Sequence, residues 1–116
     1  MTTTYVLDAS AGVELLVNTD RGQVLQEQLV AGARWWVPEH YFVEVAGALR
    51  RGALRHVYPQ ARVSRAFSQL TAASFHRVQV RPLLTEAWAM RGHVTVADAI
   101  YVAMAVHLDA VLSLPI

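Results

Sequence analysis

Three of the nine acidic residues stand among apolar neighbours: Asp8 in Val6-Leu7-Asp8-Ala9-Ser10, Glu44 in Tyr41-Phe42-Val43-Glu44-Val45-Ala46, and Asp98 in Val96-Ala97-Asp98-Ala99-Ile100-Tyr101. A carboxylate removed from water is costly unless it is hydrogen-bonded, paired or bound to a cation. Gathered at one place, three such groups would form an all-oxygen donor set suited to a hard divalent ion, Mg2+ or Mn2+. Such an ion polarises a phosphoryl oxygen and lowers the pKa of a water, the chemistry of phosphodiester hydrolysis. A carboxylate can also accept that water's proton.

Each acid has a purely structural alternative. Asp8 precedes a helix-forming segment and Asp is a favoured N-cap. Thr95-x-x-Asp98 resembles a capping box with Asp in place of Glu or Gln, and a first-turn acid complements the helix dipole. Glu44 shares a helical face with Ala48, Arg51 and Arg55 and fits a solvated position at the core edge. Glu14 and Glu39 are held in reserve, whereas Asp20, Glu27, Glu86 and Asp109 read as helix faces or ends. Arg50, Arg51 and Arg55 follow Glu44 closely; they suit either a grip on phosphate groups or the basic end of a helix.

Other chemistries are closed. The chain has no cysteine, which excludes disulfides, thiolate zinc sites and cysteine nucleophiles. Gly12 stands alone after the first strand, so there is no phosphate-cradling glycine fingerprint. The five histidines are scattered without the spacing of a zinc-binding helix and read as surface or capping residues. All ten basic residues are Arg, which reflects codon usage or a need for planar donors, and a net charge of +1 supplies no global field for nucleic acid. The longest apolar run, Ala99 to Val106, is far shorter than the roughly 18 residues of a membrane span. With no basic start followed by a long apolar stretch, the protein is expected in the cytoplasm.

The elements that must position the acids follow from periodicity. A short buried strand, Thr3 to Leu7, ends at Asp8, and helices are expected over Ala9 to Val17 and Arg21 to Ala31. Arg34 to Val37 reads as a strand whose Trp35 and Trp36 point to opposite faces. Pro38 is expected to open a helix fading near Arg55 or His56, and Pro59 another through about Ala73. A strand at His76 to Val80, a helix from Pro82 to near Gly92, a helix capped by Thr95 through Leu108, and a strand at Ala110 to Leu114 complete the chain. The run Ala99 to Val106 is apolar all round, so it is expected to be buried between layers or against another subunit. Strands alternating with helices imply one α/β domain over residues 1–116: a three-layer α/β/α sandwich on a parallel sheet, with ligands beyond the strands' carboxyl ends.

On these residues the chain resembles a known family. Val6-Leu7-Asp8-Ala9-Ser10-Ala11 is similar to the opening strand and turn of PIN-domain ribonuclease toxins of the VapC type. Val37-Pro38 through Glu44 to Leu49-Arg50-Arg51 resembles their second motif, and Thr95-Val96-Ala97-Asp98-Ala99-Ile100-Tyr101-Val102-Ala103-Met104-Ala105 the third. The resemblance implies a Mg2+- or Mn2+-dependent endoribonuclease, the toxin of a type II toxin–antitoxin pair, with RNA as substrate, a small antitoxin as partner and a homodimeric state. It implies Asp8, Glu44 and Asp98 as metal ligands and Ser10 and Ser113 as supporting hydroxyls. It also implies a fourth acid two residues after Ser113, where Pro115 stands, and a further strand and helix. The chain is therefore expected to be either a shortened member or one that continues differently from the pattern, with a catalytically impaired, antitoxin-binding module as the alternative.

Overall fold

A computed structural model of the chain describes residues 4–28 and 34–113. Four short strands, β1 (Thr4–Leu7), β2 (Arg34–Pro38), β3 (His76–Val78) and β4 (Val111–Ser113), form one sheet in the order β3-β2-β1-β4. All three pairings are parallel. The helices are α1 (Ala9–Val17), α2 (Asp20–Gln28), α3 (Tyr41–Leu54), α4 (Gln60–Ala72), α5 (Leu84–Ala89) and α6 (Val96–Leu108).

The strand order assigns the layers. From β1 to β2 to β3 the chain steps one way across the sheet, and from β3 to β4 it returns past β2 and β1. Right-handed crossovers therefore lay α1 to α4 on one face and α5 and α6 on the other. The packing agrees: α1 touches α2, α3 and α4, while α6 touches α5, β1, β2 and β4. Val6, Leu7 and Val37 from the sheet, Val17, Val45 and Leu49 from the first layer, and Ile100 and Met104 from the second form the sealed interior. The three-layer parallel architecture expected from the alternating pattern is the one observed.

Several boundaries differ for identifiable reasons. Pro38 does not open α3; it is the last residue of β2, paired in register with Val78. The N–H that proline lacks is not needed beyond the end of β1, and the following Glu39 N–H bonds the Val78 carbonyl. Pro59 stands just outside α4 as its cap residue. β3 stops at Val78, because Val80 already turns into a 3-10 turn over Arg81–Leu83 set by Pro82. The segment to Gly92 thus divides into that turn and the short α5. The expected second helix and the ends of the first and last strands extend beyond the described residues at Leu29 to Ala31, Thr3 and Leu114. In the apolar run on α6, Ala99 to Tyr101, Ala103 and Met104 are buried, but Val106 is 72% exposed. Asp98, Val102 and Val106 recur at four-residue spacing and share the outer face of the helix.

Two glycines permit close helix packing. A Cβ on Gly22 would lie 2.0 Å from the Glu14 carbonyl oxygen, so α2 crosses α1 at backbone contact. A Cβ on Gly12 would lie 2.2 Å from the Tyr41 hydroxyl oxygen, so this glycine makes room for the ring between α1 and α3.

Candidate metal centre at the carboxyl edge of the sheet

Asp8 follows the last residue of β1 and is only 9% exposed. Its backbone is extended, and Oδ1 accepts the Ser10 N–H at 2.8 Å, capping α1. The capping role is therefore real. It does not account for the burial, which pushes the Asp8 carboxyl above the usual carboxylate range, or for the nearby Asp98 charge, which pushes it further. Hydrogen bonds from the Ser10 and Ala11 backbone and from the Ser10 side chain pull the other way without cancelling the rise.

Asp98 lies in the first turn of α6. Its N–H donates to Thr95 Oγ1 at 3.1 Å, so Thr95 caps the helix as its sequence position suggests. Among the described residues the reciprocal half of a capping box, Asp98 carboxylate to Thr95 N–H, is not formed. Aspartate is one methylene shorter than the glutamate that usually closes this ring. The carboxylate is exposed, makes no hydrogen bond to the described residues, and lies close enough to Asp8 to act on its charge.

Glu44 arrives from the opposite layer, in the first turn of α3. Its Oε1 accepts the Tyr101 hydroxyl at 2.7 Å and lies 3.2 Å from His40 Nε2. The same His40 nitrogen is 3.1 Å from the Ala97 carbonyl, while Nδ1 is buried without a partner. With its proton on Nε2 the ring donates to the Ala97 carbonyl and rests against Glu44 Oε1, and the orphan Nδ1 is an acceptor, less demanding than an orphan donor. Tyr41 and Tyr101, each 1% exposed, wall the edge between the acids. Burial raises both phenols, and negative charge at Asp8, joined for Tyr101 by Glu44, raises them further. The walls therefore stay neutral beside the carboxylates.

The fold puts Asp98 within electrostatic reach of Asp8 and ties Glu44 to Tyr101, which also feels the Asp8 charge. Among the described residues no three acidic or histidine side chains are grouped tightly enough to hold one ion. The donor chemistry nevertheless fits a hydrated divalent cation. Mg2+ is commonly held by one or two carboxylates with waters completing its shell, and Asp8 and Asp98 have no ion-pair partner among the described residues.

The other candidates lie apart. Ser10 sits on the first turn of α1 beside Asp8. The Ser113 hydroxyl and Pro115 fall outside the described residues. Arg50, Arg51 and Arg55 are exposed at the far end of α3; at 1.5 Å per residue they begin roughly 9 Å along the helix from Glu44. Glu14 accepts the Thr19 hydroxyl at the α1–α2 corner, and Glu39 pairs with Arg77 at 3.6 Å. Tyr41, Tyr101 and His40 escaped the sequence reading. The signal was present for two of them: Tyr101 is three residues after Asp98 and His40 four before Glu44, both same-face spacings.

The sequence pattern of the PIN domain matches residues 5–113. Ribonuclease VapC12 of Mycobacterium tuberculosis is 34% identical over 100 residues, covering 86% of this chain and 77% of that protein. Ribonuclease VapC9 of the same organism is 34% identical over 107 residues, covering 92% and 81%. Among solved structures, a toxin–antitoxin complex from Klebsiella pneumoniae superposes with a TM-score of 0.65 at 14% identity, covering 93% of this chain and 82% of that one. Mycobacterium tuberculosis VapC20, a toxin that cleaves the sarcin–ricin loop, gives 0.64 at 14% identity, covering 91% and 84%.

Proposed function

This chain belongs to the PIN-domain family and, within it, to the VapC ribonuclease toxins, and on that premise we propose that it is a divalent-metal-dependent endoribonuclease whose metal is held at the Asp8–Asp98 edge. The observation that carries this reading is electrostatic. A nearly buried carboxylate lies within electrostatic reach of a second, exposed one, and no described basic side chain pairs with either. A cation from outside the chain relieves that arrangement.

In this reading Asp8 and Asp98 hold Mg2+ or Mn2+, with Glu44 contributing directly or through a water. The chemistry such an ion supplies when bound is polarisation of the scissile phosphate and a lowered pKa for a water. The chain's own groups do the rest. Ser10 hydrogen-bonds Asp8 and keeps its carboxylate oriented, Tyr41 and Tyr101 exclude bulk solvent, and the Glu44 carboxylate is the base for the water's proton. Arg50, Arg51 and Arg55 grip phosphates further along the RNA.

The test is cleavage of structured RNA with Mg2+ or Mn2+ by the wild-type protein and by Asp8→Asn, which keeps an N-capping oxygen. Metal-dependent cleavage by the wild type alone is expected. Equal cleavage by both proteins would trace the activity to a contaminant and remove the role of Asp8.

Partners follow from the same family reading: a cognate antitoxin and a second copy of the chain in a cytoplasmic toxin–antitoxin pair. Exposed Val43, Phe67, Trp88 and Val106 offer apolar surface for such contacts. No described helix is long and apolar enough to cross a membrane. Light scattering at high micromolar concentration is expected to give a dimer, and a clean monomer counts against it.

A second reading, an antitoxin-binding PIN module without a competent metal site, draws on one observation. No three potential ligands are grouped for one ion among the described residues. Calorimetry with Mn2+ separates the two readings, since such a module shows no saturable binding that depends on Asp98.

A further inference from the structure

Glu44 is held differently from the other two acids. Both of its protein contacts fall on a single oxygen, Oε1: the Tyr101 hydroxyl at 2.7 Å from α6 and His40 Nε2 at 3.2 Å from the residue just before α3. Among the described residues Oε2 has no protein partner. The two contacts come from opposite layers of the sandwich, with Tyr101 lying 57 residues from Glu44 in sequence. The His40 and Tyr101 rings also pack against each other, with centroids 5.1 Å apart.

A buried tyrosine hydroxyl needs some acceptor, and that need alone would be met by any backbone carbonyl or a water. Here the acceptor is a partly exposed carboxylate that would otherwise turn freely in solvent, and the Ala97 carbonyl is left to His40. One hydroxyl donor and one imidazole contact on the same oxygen fix the side-chain rotamer and leave the second oxygen available. A long acidic side chain loses considerable rotamer freedom on being immobilised. Immobilising it in the folded protein removes that loss from the binding step.

We propose that Tyr101 and His40 are positioning residues that clamp Glu44 Oε1 and so reserve Oε2 for the cation or a water beside it. The proposal rests on the metal-dependent reading above. It assigns Tyr101 no contact with substrate or reacting atoms; it acts through Glu44.

The experiment is a double-mutant cycle read by calorimetry with Mn2+ alone, on the full chain: wild type, Tyr101→Phe, Glu44→Gln and the double variant, each with a melting curve. Loss of a partner that orients a metal ligand typically weakens metal binding by about 10- to 100-fold. We expect Tyr101→Phe to bind Mn2+ roughly tenfold more weakly with an unchanged melting profile, and to add nothing further in the Glu44→Gln background. Wild-type affinity in Tyr101→Phe overturns the clamp, as does a loss of equal size in both backgrounds, which would show that the hydroxyl acts elsewhere. Should Tyr101→Phe fail to fold, His40→Ala decides. A loss of a few-fold that vanishes with Glu44→Gln supports the clamp, and unchanged affinity overturns it. If Asp98→Asn abolishes Mn2+ binding while Tyr101→Phe leaves it intact, the metal reading stands and only the clamp falls. If the wild-type chain itself shows no saturable Mn2+ binding, the metal reading falls and the clamp with it.

Discussion

On α5 and α6, Glu86 and His107 reach across the helix pair and bond, and at the mouth of β3 Arg77 comes within 3.6 Å of Glu39. Both pairs are about half exposed, and each acid has a potentially cationic partner supplied by the chain. At the carboxyl end of β1 the same residue types meet a different solution. Asp8 is nearly sealed from water, its nearest charged influence is another carboxylate, and its walls are two neutral tyrosines. Surface pairs of the first kind contribute little stability. The second arrangement lowers stability as it stands, and the cation proposed above would relieve it. The contrast separates acids that the chain itself pairs from acids that have no ion-pair partner among the described residues.

The sharpest way to break this comparison is to neutralise one acid of each kind. Asp98→Asn removes a proposed metal ligand, and several kcal/mol of charge stabilisation correspond to a loss on the order of 100-fold or more in cleavage rate. Glu86→Gln removes an acid that the chain has already paired, and we expect the rate to stay within about twofold. Metal-dependent cleavage of one RNA under identical conditions measures both. Similar losses in the two variants would erase the distinction.

The glycines sharpen it from the side of packing. A methyl group at Gly12 would drive into the Tyr41 ring that walls Asp8, whereas a Cβ at Gly92 meets nothing within 4 Å. Overpacking a sealed site costs about 1–3 kcal/mol. Gly12→Ala is therefore expected to lower the melting temperature by roughly 4 to 12 °C, with Gly92→Ala close to wild type. A Gly12→Ala protein that melts normally would show that Tyr41 gives way easily and that the wall is loose.

How far this contrast was legible in the sequence differs from residue to residue. The apolar neighbours of Asp8, Glu44 and Asp98 set them apart, and the alternation of strands with helices gave the parallel sheet and the edge where Asp8 falls. Thr95 capped its helix as its spacing predicted. The pairing of partners was not legible. Tyr101 and Glu44 are 57 residues apart on helices from opposite layers, and they meet only because the return from β3 to β4 carries α6 across the sheet. Local pattern also misjudged Asp98. Its neighbours are buried, but at 100° per residue it shares the outer face with Val106 and is itself exposed. Proline suits a first turn and so predicts a helix opening at Pro38, yet the ladder has no need of its N–H and keeps it in β2.

Asp8→Asn gives a smaller and more diagnostic effect. The folded protein holds the Asp8 proton more tightly than the unfolded chain, whose value is the ordinary 3.8. Stability from this group is therefore highest when it is protonated and falls as pH rises from about that value through the raised one. Asparagine keeps the cap and discards the charge. In metal-free buffer Asp8→Asn should melt a few degrees above wild type at neutral pH, by roughly 4 °C per kcal/mol relieved, and the gap should close on acidification below the usual carboxylate range. Saturating Mn2+ should then raise the wild-type melting point and leave the variant unmoved. A variant that melts lower than wild type without metal would mean that Asp8 is chiefly a stabilising cap.

The weakest expected effect comes from the opposite sign of charge. Arg50, Arg51 and Arg55 are exposed at the end of α3 remote from Glu44, where a basic side chain also complements the helix dipole. If they only complement the dipole, replacing each with Gln changes stability by a few tenths of a kcal/mol and leaves RNA binding alone. If they meet phosphates, each contact released should lower the dependence of log affinity on log salt by about 0.7 for single-stranded RNA. The loss should appear in KM, by roughly threefold per residue at moderate salt, with kcat unchanged because these groups bind ground state and transition state alike. Salt titrations of the single and triple variants read the slope directly. A slope that stays at the wild-type value in the triple variant would confine RNA recognition to the acidic edge and its cation, and would leave these arginines, like Arg77, as part of the protein's solvated shell.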